Sequence, residues 1–235
     1  MTAPAAIILV GGLGTRLRTL YPDRPKALVP VAGRPFIAWL IDWLHRHGVT
    51  RIHLAAGYRA DQLVTWRNEQ PAHQDLTVSI EPEPLGTAGG LRFAAAQVPG
   101  ESLLVINGDS FLPGLDLASW LREGLRSDVT ATLAVTQVTK SGRYGTVEFE
   151  PGGKVTAFLE KAERTEGYVN GGLYWMRRAL LGHIPERTAS SLETDVFPAL
   201  AAAGQLAARA VPPPLLDMGT PEGLAALEQF LRRDA

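Results

Sequence analysis

The chain has no cysteine, which excludes disulfides, thiolate zinc sites and cysteine nucleophiles. It also lacks any apolar run approaching the roughly 20 residues that cross a bilayer. Its N-terminus shows no charged stretch followed by an apolar segment and a cleavage site, so the expectation is a cytoplasmic protein with no membrane partner. Nor is there an excess of one charge: 23 Lys and Arg face 24 Asp and Glu, for a net charge of −1. An overall basic footprint for nucleic acid is therefore missing. What is present is ordinary globular composition, 46% hydrophobic and 20% charged over 235 residues, enough for one sizeable α/β domain. The charge is unevenly spread. Residues 1–60 hold eight Lys and Arg against Asp23 and Asp42, a positive first quarter that matches a local polyphosphate site better than an extended duplex; scattered surface arginines are the plainer alternative.

Hydrophobic periodicity sets the architecture. Ala5–Val10 is a continuous apolar run stopped by Gly11-Gly12, the pattern of a central strand buried on both faces of a parallel sheet. Phe36, Ile37, Leu40, Ile41 and Leu44 recur at helical spacing between Pro35, placed in the first helical turn, and Gly48 at the C-terminal cap. Strands are expected at Ile52–Ala56, Leu76–Ile80 and Ser102–Asn107, with helices near Asp61–Glu69 and Gly89–Val98 between them. This β-α-β-α-β-α-β order predicts an α/β fold: a mixed, mainly parallel twisted sheet with helices on both faces and a ligand crevice beyond the strands' carboxyl ends. Further on, Ala131–Thr136, Gly145–Phe149 and Lys154–Leu159 read as strands of an antiparallel excursion, and Leu192–Ala203 and Pro221–Arg232 as helices, the latter with Thr220 as N-cap. The whole is drawn as one domain over residues 1–235. Its nucleotide-binding part covers about residues 1–136, and a sugar-binding and C-terminal part covers about 137–235, with a small lobe near 137–190.

The first candidate site is the loop Gly11-Gly12-Leu13-Gly14-Thr15-Arg16-Leu17, directly after the first strand. Its glycines let backbone N–H groups approach phosphate, and Arg16 can add a charge-assisted contact. The loop is not a Walker A sequence, because the Gly-Lys-Ser/Thr ending is absent. It is not a dinucleotide fingerprint either, because Leu17 stands where the third glycine belongs. Alone, the glycines fit a tight strand-to-helix turn equally well. Pro25-Lys26-Ala27-Leu28 follows, stiffened by Pro22, Pro25 and Pro30, which leaves Lys26 on a loop near the same strand end.

Together, the Gly-Gly-x-Gly-Thr-Arg-Leu loop and Arg-Pro-Lys-Ala-Leu at this spacing resemble the signature of the sugar-1-phosphate nucleotidyltransferases, and the resemblance runs over essentially the whole chain. It implies the nucleotide-diphospho-sugar transferase fold with a small antiparallel sugar-binding lobe. It further implies nucleotide contacts at Leu9, Gly11, Gly12, Gly14, Thr15, Arg16 and Lys26, with Arg16 and Lys26 stabilising the reaction. Glu81-Pro82-Glu83-Pro84-Leu85-Gly86-Thr87 is similar to the family segment that meets the nucleobase, which places Glu81, Leu85, Gly86 and Thr87 in that site along with Gly108. Asp109, in Asn107-Gly108-Asp109, and Asp217, in Leu216-Asp217-Met218-Gly219, match the two carboxylates that hold Mg²⁺. Tyr144, Gly145, Glu160, Lys161, Asn170 and Gly171 match sugar-phosphate positions. Glu193-Thr194-Asp195 resembles a further motif, although helix capping explains it equally well.

The implied reaction is attack by a sugar-1-phosphate oxygen on the α-phosphorus of a nucleoside triphosphate, with release of pyrophosphate. Mg²⁺ accepts hard oxygen ligands, commonly one or two carboxylates plus substrate phosphates. The chain lacks the hexapeptide-repeat tail of longer relatives, so the catalytic module alone is expected. Among short members its motifs look most like D-glycero-α-D-manno-heptose 1-phosphate guanylyltransferases, which implies GTP and a heptose phosphate as substrates. Mannose-1-phosphate guanylyltransferases, uridylyl- and thymidylyltransferases are the alternatives within the family, and a silent nucleotide-sugar sensor is the alternative outside it. Relatives often pair, so a homodimer is also compatible with the resemblance.

Overall fold

The structure, a computed structural model, describes residues 4–12, 14, 17, 19–70, 75–138, 144–159, 167–186 and 189–234. Strand β1 (Ala5–Leu9) is followed by the two short strands β2 (Pro30–Val31) and β3 (Arg34–Pro35), helix α1 (Phe36–Arg46) and β4 (Ile52–Ala56). Next come α2 (Ala60–Asn68), β5 (Leu76–Ile80), α3 (Gly86–Ala95) and β6 (Ser102–Asn107). The strands β5-β4-β1-β6 lie side by side in that order and all run parallel. Burial explains the uninterrupted apolar runs. Ala6 and Ile8 of β1 enter one apolar cluster and Ala5 and Ile7 the other, and β6 repeats the division with Leu104 and Ile106 against Leu103 and Val105. Alternate residues thus serve opposite faces of one sheet, and both faces are dry.

The buried stripe of α1 (Phe36, Ile37, Leu40, Ile41 and Leu44) packs on one of these faces, and Gly48 follows the helix at φ 80°. Pro35 was expected in the first turn of this helix. It instead precedes it, paired in β3 with Pro30 across a turn in which Ala32 and Gly33 have φ 48° and 84°. Proline's missing N–H and fixed φ are tolerated at either place, so local chemistry alone could not separate them.

The second half differs more from the sequence reading. After β7 (Ser110–Phe111), α4 (Leu117–Arg122), β8 (Ala131–Val138), β9 (Thr146–Phe149) and β10 (Val155–Leu159) comes β11 (Gly167–Arg177). The sequence reading left β11 without an assigned element, yet it is an 11-residue strand that pairs antiparallel with both β6 and β8. The described strands within the small lobe expected near 137–190 therefore join the main sheet, the β9–β10 hairpin doing so through Val169 and Thr146. Asn170-Gly171-Gly172 hid the strand because it marks an irregularity: the β11–β8 register shifts between Asn170 and Tyr174, with Gly172 at φ 73°. The segment expected as a helix over Leu192–Ala203 opens instead as a π turn, Leu192–Val196, before α5 (Phe197–Ala202). Strand β12 (Leu206–Ala210), also unread, pairs parallel with β8. Finally β13 (Leu216–Asp217) pairs antiparallel with β7, and α6 (Pro221–Asp234) follows, its Gly223 N–H donating to the Thr220 hydroxyl at 3.1 Å.

Candidate active site

Chain order reverses between β1 and β6: β4 and β5 continue the sheet on one side of β1, and β6 lies on the other. The carboxyl ends of β1 and β6 flank the crevice that such a reversal opens. A cleft of about 270 Å³ lies there. Gly11 and Gly12 leave β1 into it, Asn107, Gly108 and Asp109 leave β6 into it, and Lys26, Glu81, Gly86 and Thr87 complete its walls together with Leu9. Gly108 N–H donates to the Leu9 carbonyl at 2.9 Å, tying the two strand ends together.

Among the described residues lining this cleft, Lys26 is the cation. Its ammonium donates to Asp109 Oδ2 at 2.6 Å, and the Lys26 side chain is only 17% exposed against 41% for Asp109. Burial pushes the Asp109 carboxyl up, but the Lys26 charge and the Lys26 and Ser110 donors outweigh it and hold the group below the ordinary aspartate value. Asp217 arrives beside Asp109 through backbone pairing. It lies opposite Ser110 in the β13–β7 ladder, and the next residue, Met218, donates its N–H to the Asp109 carbonyl at 2.9 Å. The Asp217 carboxylate accepts the Gly219 N–H on Oδ1 at 2.8 Å and the Tyr144 hydroxyl on Oδ2. Backbone pairing thus brings Asp217 alongside the Asp109 segment, 108 positions earlier in the sequence.

Glu81 forms a different wall. Its half-buried carboxylate accepts the Leu85 N–H at 3.3 Å and lies against Gly11 and Gly90. Burial raises its pKa above the ordinary glutamate value, and the Leu85 donor opposes that only in part. Leu85 itself is buried and is not among the residues that line the cleft; its N–H serves the wall by holding Glu81.

A polar network missed at the level of sequence joins the two halves of the site. Tyr174, fully buried, accepts from Asn170 Nδ2 at 2.8 Å and Asn107 Nδ2 at 3.3 Å, and donates to Glu193 Oε1 at 3.4 Å. Glu193 Oε2 accepts the Thr87 hydroxyl at 2.7 Å and the Ser191 hydroxyl at 2.9 Å. Burial first, and then the Glu193 charge, hold the Tyr174 hydroxyl well above its ordinary pKa, so it stays a neutral donor. Capping and contact with the cleft turn out to be compatible here: Ser191 caps the π turn while Glu193 fastens Thr87, at the start of α3. The available signal was a tyrosine inside the apolar run Leu173–Met176, since a buried phenol demands partners.

A nucleotidyl transferase family model matches residues 5–234. The chain belongs to the nucleotidyl transferase family. This transferase is 34% identical over 175 residues to the D-glycero-alpha-D-manno-heptose 1-phosphate guanylyltransferase of Aneurinibacillus thermoaerophilus, covering 74% of this chain and 75% of that one. It is also 34% identical over 221 residues to a mannose-1-phosphate guanylyltransferase of Mycobacterium tuberculosis, covering 92% of this chain but only 61% of the longer relative. Among solved structures, HddC from Yersinia pseudotuberculosis complexed with GMP-PN matches with TM-score 0.85 and 30% identity, over 97% of this chain and 100% of that one. The resemblance to sugar-1-phosphate nucleotidyltransferases read from the sequence is borne out.

Of the transferase's sequence-predicted site residues, Thr15, Arg16, Glu160 and Lys161 lie outside the described residues. Gly14 is described at φ 57°, packed against the Lys26 side chain. Gly145 accepts the Asn170 N–H at 2.8 Å through its carbonyl, and Gly171 packs tightly against Leu112 and the Ala134 carbonyl. Among the described residues no cluster of three or more His, Asp or Glu is preassembled for a metal. Asp109 and Asp217, on segments paired through β7 and β13, are hard oxygen donors of the kind Mg²⁺ takes, which is commonly held by one or two carboxylates with phosphate oxygens completing its shell. No helix among the described residues is long and apolar enough to cross a membrane.

Proposed function

We propose that this chain, as one domain, transfers a guanylyl group from GTP to D-glycero-α-D-manno-heptose 1-phosphate, giving a GDP-sugar and pyrophosphate. The observation that supports the reading is the Lys26–Asp109 ion pair in a glycine-walled cleft, with Asp217 paired alongside through the β13–β7 ladder. In the reaction a phosphate oxygen of the sugar 1-phosphate bonds to the α-phosphorus as the α,β-bridging P–O bond breaks, and the electron pair leaves with pyrophosphate. The chain supplies no nucleophile, so its work is positioning and charge stabilisation. Gly11 and Gly12 admit the phosphates. Lys26, held beside the cleft by Asp109, is placed to meet the charge that gathers on the α-phosphoryl and leaving oxygens, together with Arg16. Asp109 and Asp217 would hold Mg²⁺, which supplies Lewis-acid neutralisation of phosphate charge when bound. Asn170, Glu160 and Lys161 are assigned to the sugar phosphate, with Gly145 and Gly171 shaping that side.

Glu81 supports guanine. That base presents a ring N–H and an exocyclic amino group side by side, and an ionised carboxylate accepts two adjacent donors. The 34% identity to the heptose 1-phosphate enzyme supports the sugar. Mannose 1-phosphate is the second reading, favoured by the match over 92% of this chain. The test is a pyrophosphate-release screen crossing GTP, ATP, UTP, CTP and dTTP with heptose, mannose, glucose and N-acetylglucosamine 1-phosphates. GTP with the heptose should give the highest kcat/KM. A preference for mannose would move the assignment to the second reading, and silence with every pair would overturn the transferase reading.

A further inference from the structure

The Glu193-Thr194-Asp195 segment does more than cap a turn. We propose that Glu193 is a positioning residue for the nucleobase: from behind the cleft wall its carboxylate holds the Thr87 hydroxyl, and so fixes the Gly86-Thr87 turn that the base meets. The inference rests on the transferase reading, which assigns that wall to the base, and on three observations.

Capping is carried out by the neighbours of Glu193. The Ser191 N–H donates to Asp195 Oδ2 at 2.7 Å, and the Ser191 hydroxyl accepts the Glu193 and Thr194 N–H groups at 3.1 and 3.2 Å. The Glu193 carboxylate takes side-chain donors instead. Oε2 accepts the Thr87 hydroxyl at 2.7 Å and the Ser191 hydroxyl at 2.9 Å, while Oε1 accepts the Tyr174 hydroxyl at 3.4 Å. The Thr87 contact also belongs to a continuous seam between the Ser190–Glu193 segment and the start of α3. Ser190 N–H donates to the Leu85 carbonyl at 2.9 Å, and the Ser190 carbonyl accepts the Ala88 and Gly89 N–H groups at 3.0 and 3.4 Å. Leu192 N–H donates to Thr87 Oγ1 at 2.8 Å. The Thr87 hydroxyl thus accepts from one side of the seam and donates to the other. For a β-branched side chain with few χ1 states, that pair of bonds selects one. A hydroxyl that gives its proton to Glu193 cannot give the same proton to a nucleotide. Finally, Gly86 and Thr87 line the cleft, whereas Ser190, Leu192 and Glu193 are not among its described lining residues. Glu193 therefore acts through the wall.

The test is calorimetric titration of the full chain, well below its melting temperature, with GTP and with inorganic tripolyphosphate as the two probes. Glu193→Ala removes the acceptor and should weaken GTP binding about tenfold or more, the scale of losing a hydrogen bond to a charged group. Tripolyphosphate, which has no base to place against this wall, should change less than about twofold. Glu193→Gln keeps an acceptor for Thr87 and should bind GTP within about threefold of the unaltered chain. Thr87→Val deletes the hydroxyl and should reproduce the loss, and combining it with Glu193→Ala should add little, because the two residues form one contact. Equal losses of GTP and tripolyphosphate affinity, a glutamine variant as weak as the alanine one, or additive losses in the double variant overturn the proposal. So does a raised KM for sugar 1-phosphate with GTP affinity intact, or an unaltered chain that binds GTP no more tightly than tripolyphosphate. If Glu193→Ala fails to fold, Thr87→Val and Glu193→Gln decide the matter: the first must weaken GTP binding and the second must not. The titrations need no turnover. A chain that shows this pattern of GTP affinities yet turns over no sugar phosphate would sink the transferase reading and leave this inference standing.

Discussion

Gly86→Ala should damage both the stability and the nucleotide wall of this protein, and the size of the effect follows from two features of the residue. Gly86 opens α3 at φ 73°, a conformation that costs a residue with a Cβ about 1–2 kcal/mol. Its added methyl would also run into the Ser190 carbonyl oxygen, with the Ser190 carbonyl carbon at 3.0 Å. Relief by rotation is not available, because that carbonyl is backbone and already accepts the Ala88 N–H at 3.0 Å, while Ser190 N–H donates to the Leu85 carbonyl at 2.9 Å. Overpacking of this kind adds about 1–3 kcal/mol. A total near 3 kcal/mol corresponds to a fall in Tm of about 6–12 °C for a chain of this size. The same displacement carries the Leu192 N–H and Glu193 away from Thr87, so GTP binding should weaken along with stability. Gly182→Ala is the control: nothing lies within 4 Å of its added Cβ and its φ is not left-handed, so Tm should hold or rise slightly. Thermal unfolding by circular dichroism and GTP titration by calorimetry supply both readouts. A Gly86→Ala protein melting within 2 °C of the unaltered chain would refute the reasoning.

Three further outcomes are expected. Lys26→Ala should lower kcat by about 10²-fold or more, the scale of losing one preorganised electrostatic stabiliser; near-normal turnover in single-turnover kinetics would remove Lys26 from the mechanism. Glu81→Gln replaces one acceptor by a donor, so GTP kcat/KM should fall about tenfold or more relative to UTP or dTTP, while an unchanged preference in the pyrophosphate-release assay removes Glu81 from base recognition. His53 is buried between Thr77 Oγ1 and Ser79 Oγ, each at 2.8 Å, and burial holds its imidazole below the ordinary value. The unfolded chain therefore takes up this proton first: the stability contribution is complete above about pH 6.5 and declines as pH falls below it. Tm measured from pH 7.5 to 5.5 should drop more steeply for the unaltered chain than for His53→Gln, and parallel curves would contradict this.

Where a residue's neighbours in sequence are also its neighbours in energy, the sequence by itself was sufficient. The runs Ile52–Ala56 and Ser102–Asn107 became strands with those same bounds because each is buried on both faces, and Leu76–Ile80 did so at the edge of the sheet, where Thr77 and Ile80 are exposed. The order of these elements already implied a crevice at the reversal of the sheet, and the glycine loop and Lys26 could be assigned to it. Tertiary structure alone decided the rest. β11 was illegible because Asn170-Gly171-Gly172 looks like a turn, and only the close approach of Leu112, Ser110 and the Ala134 carbonyl makes it a bulge in a central strand. Asp109 and Asp217 could be matched to a family pattern, but what brings their segments side by side is the β7–β13 ladder, a non-local pairing with no trace in local composition. The partners of Tyr174 and of Tyr144 were hidden for the same reason: a hydroxyl's role is set by the carboxylate it finds on folding, and Glu193 and Asp217 come from other strands and turns.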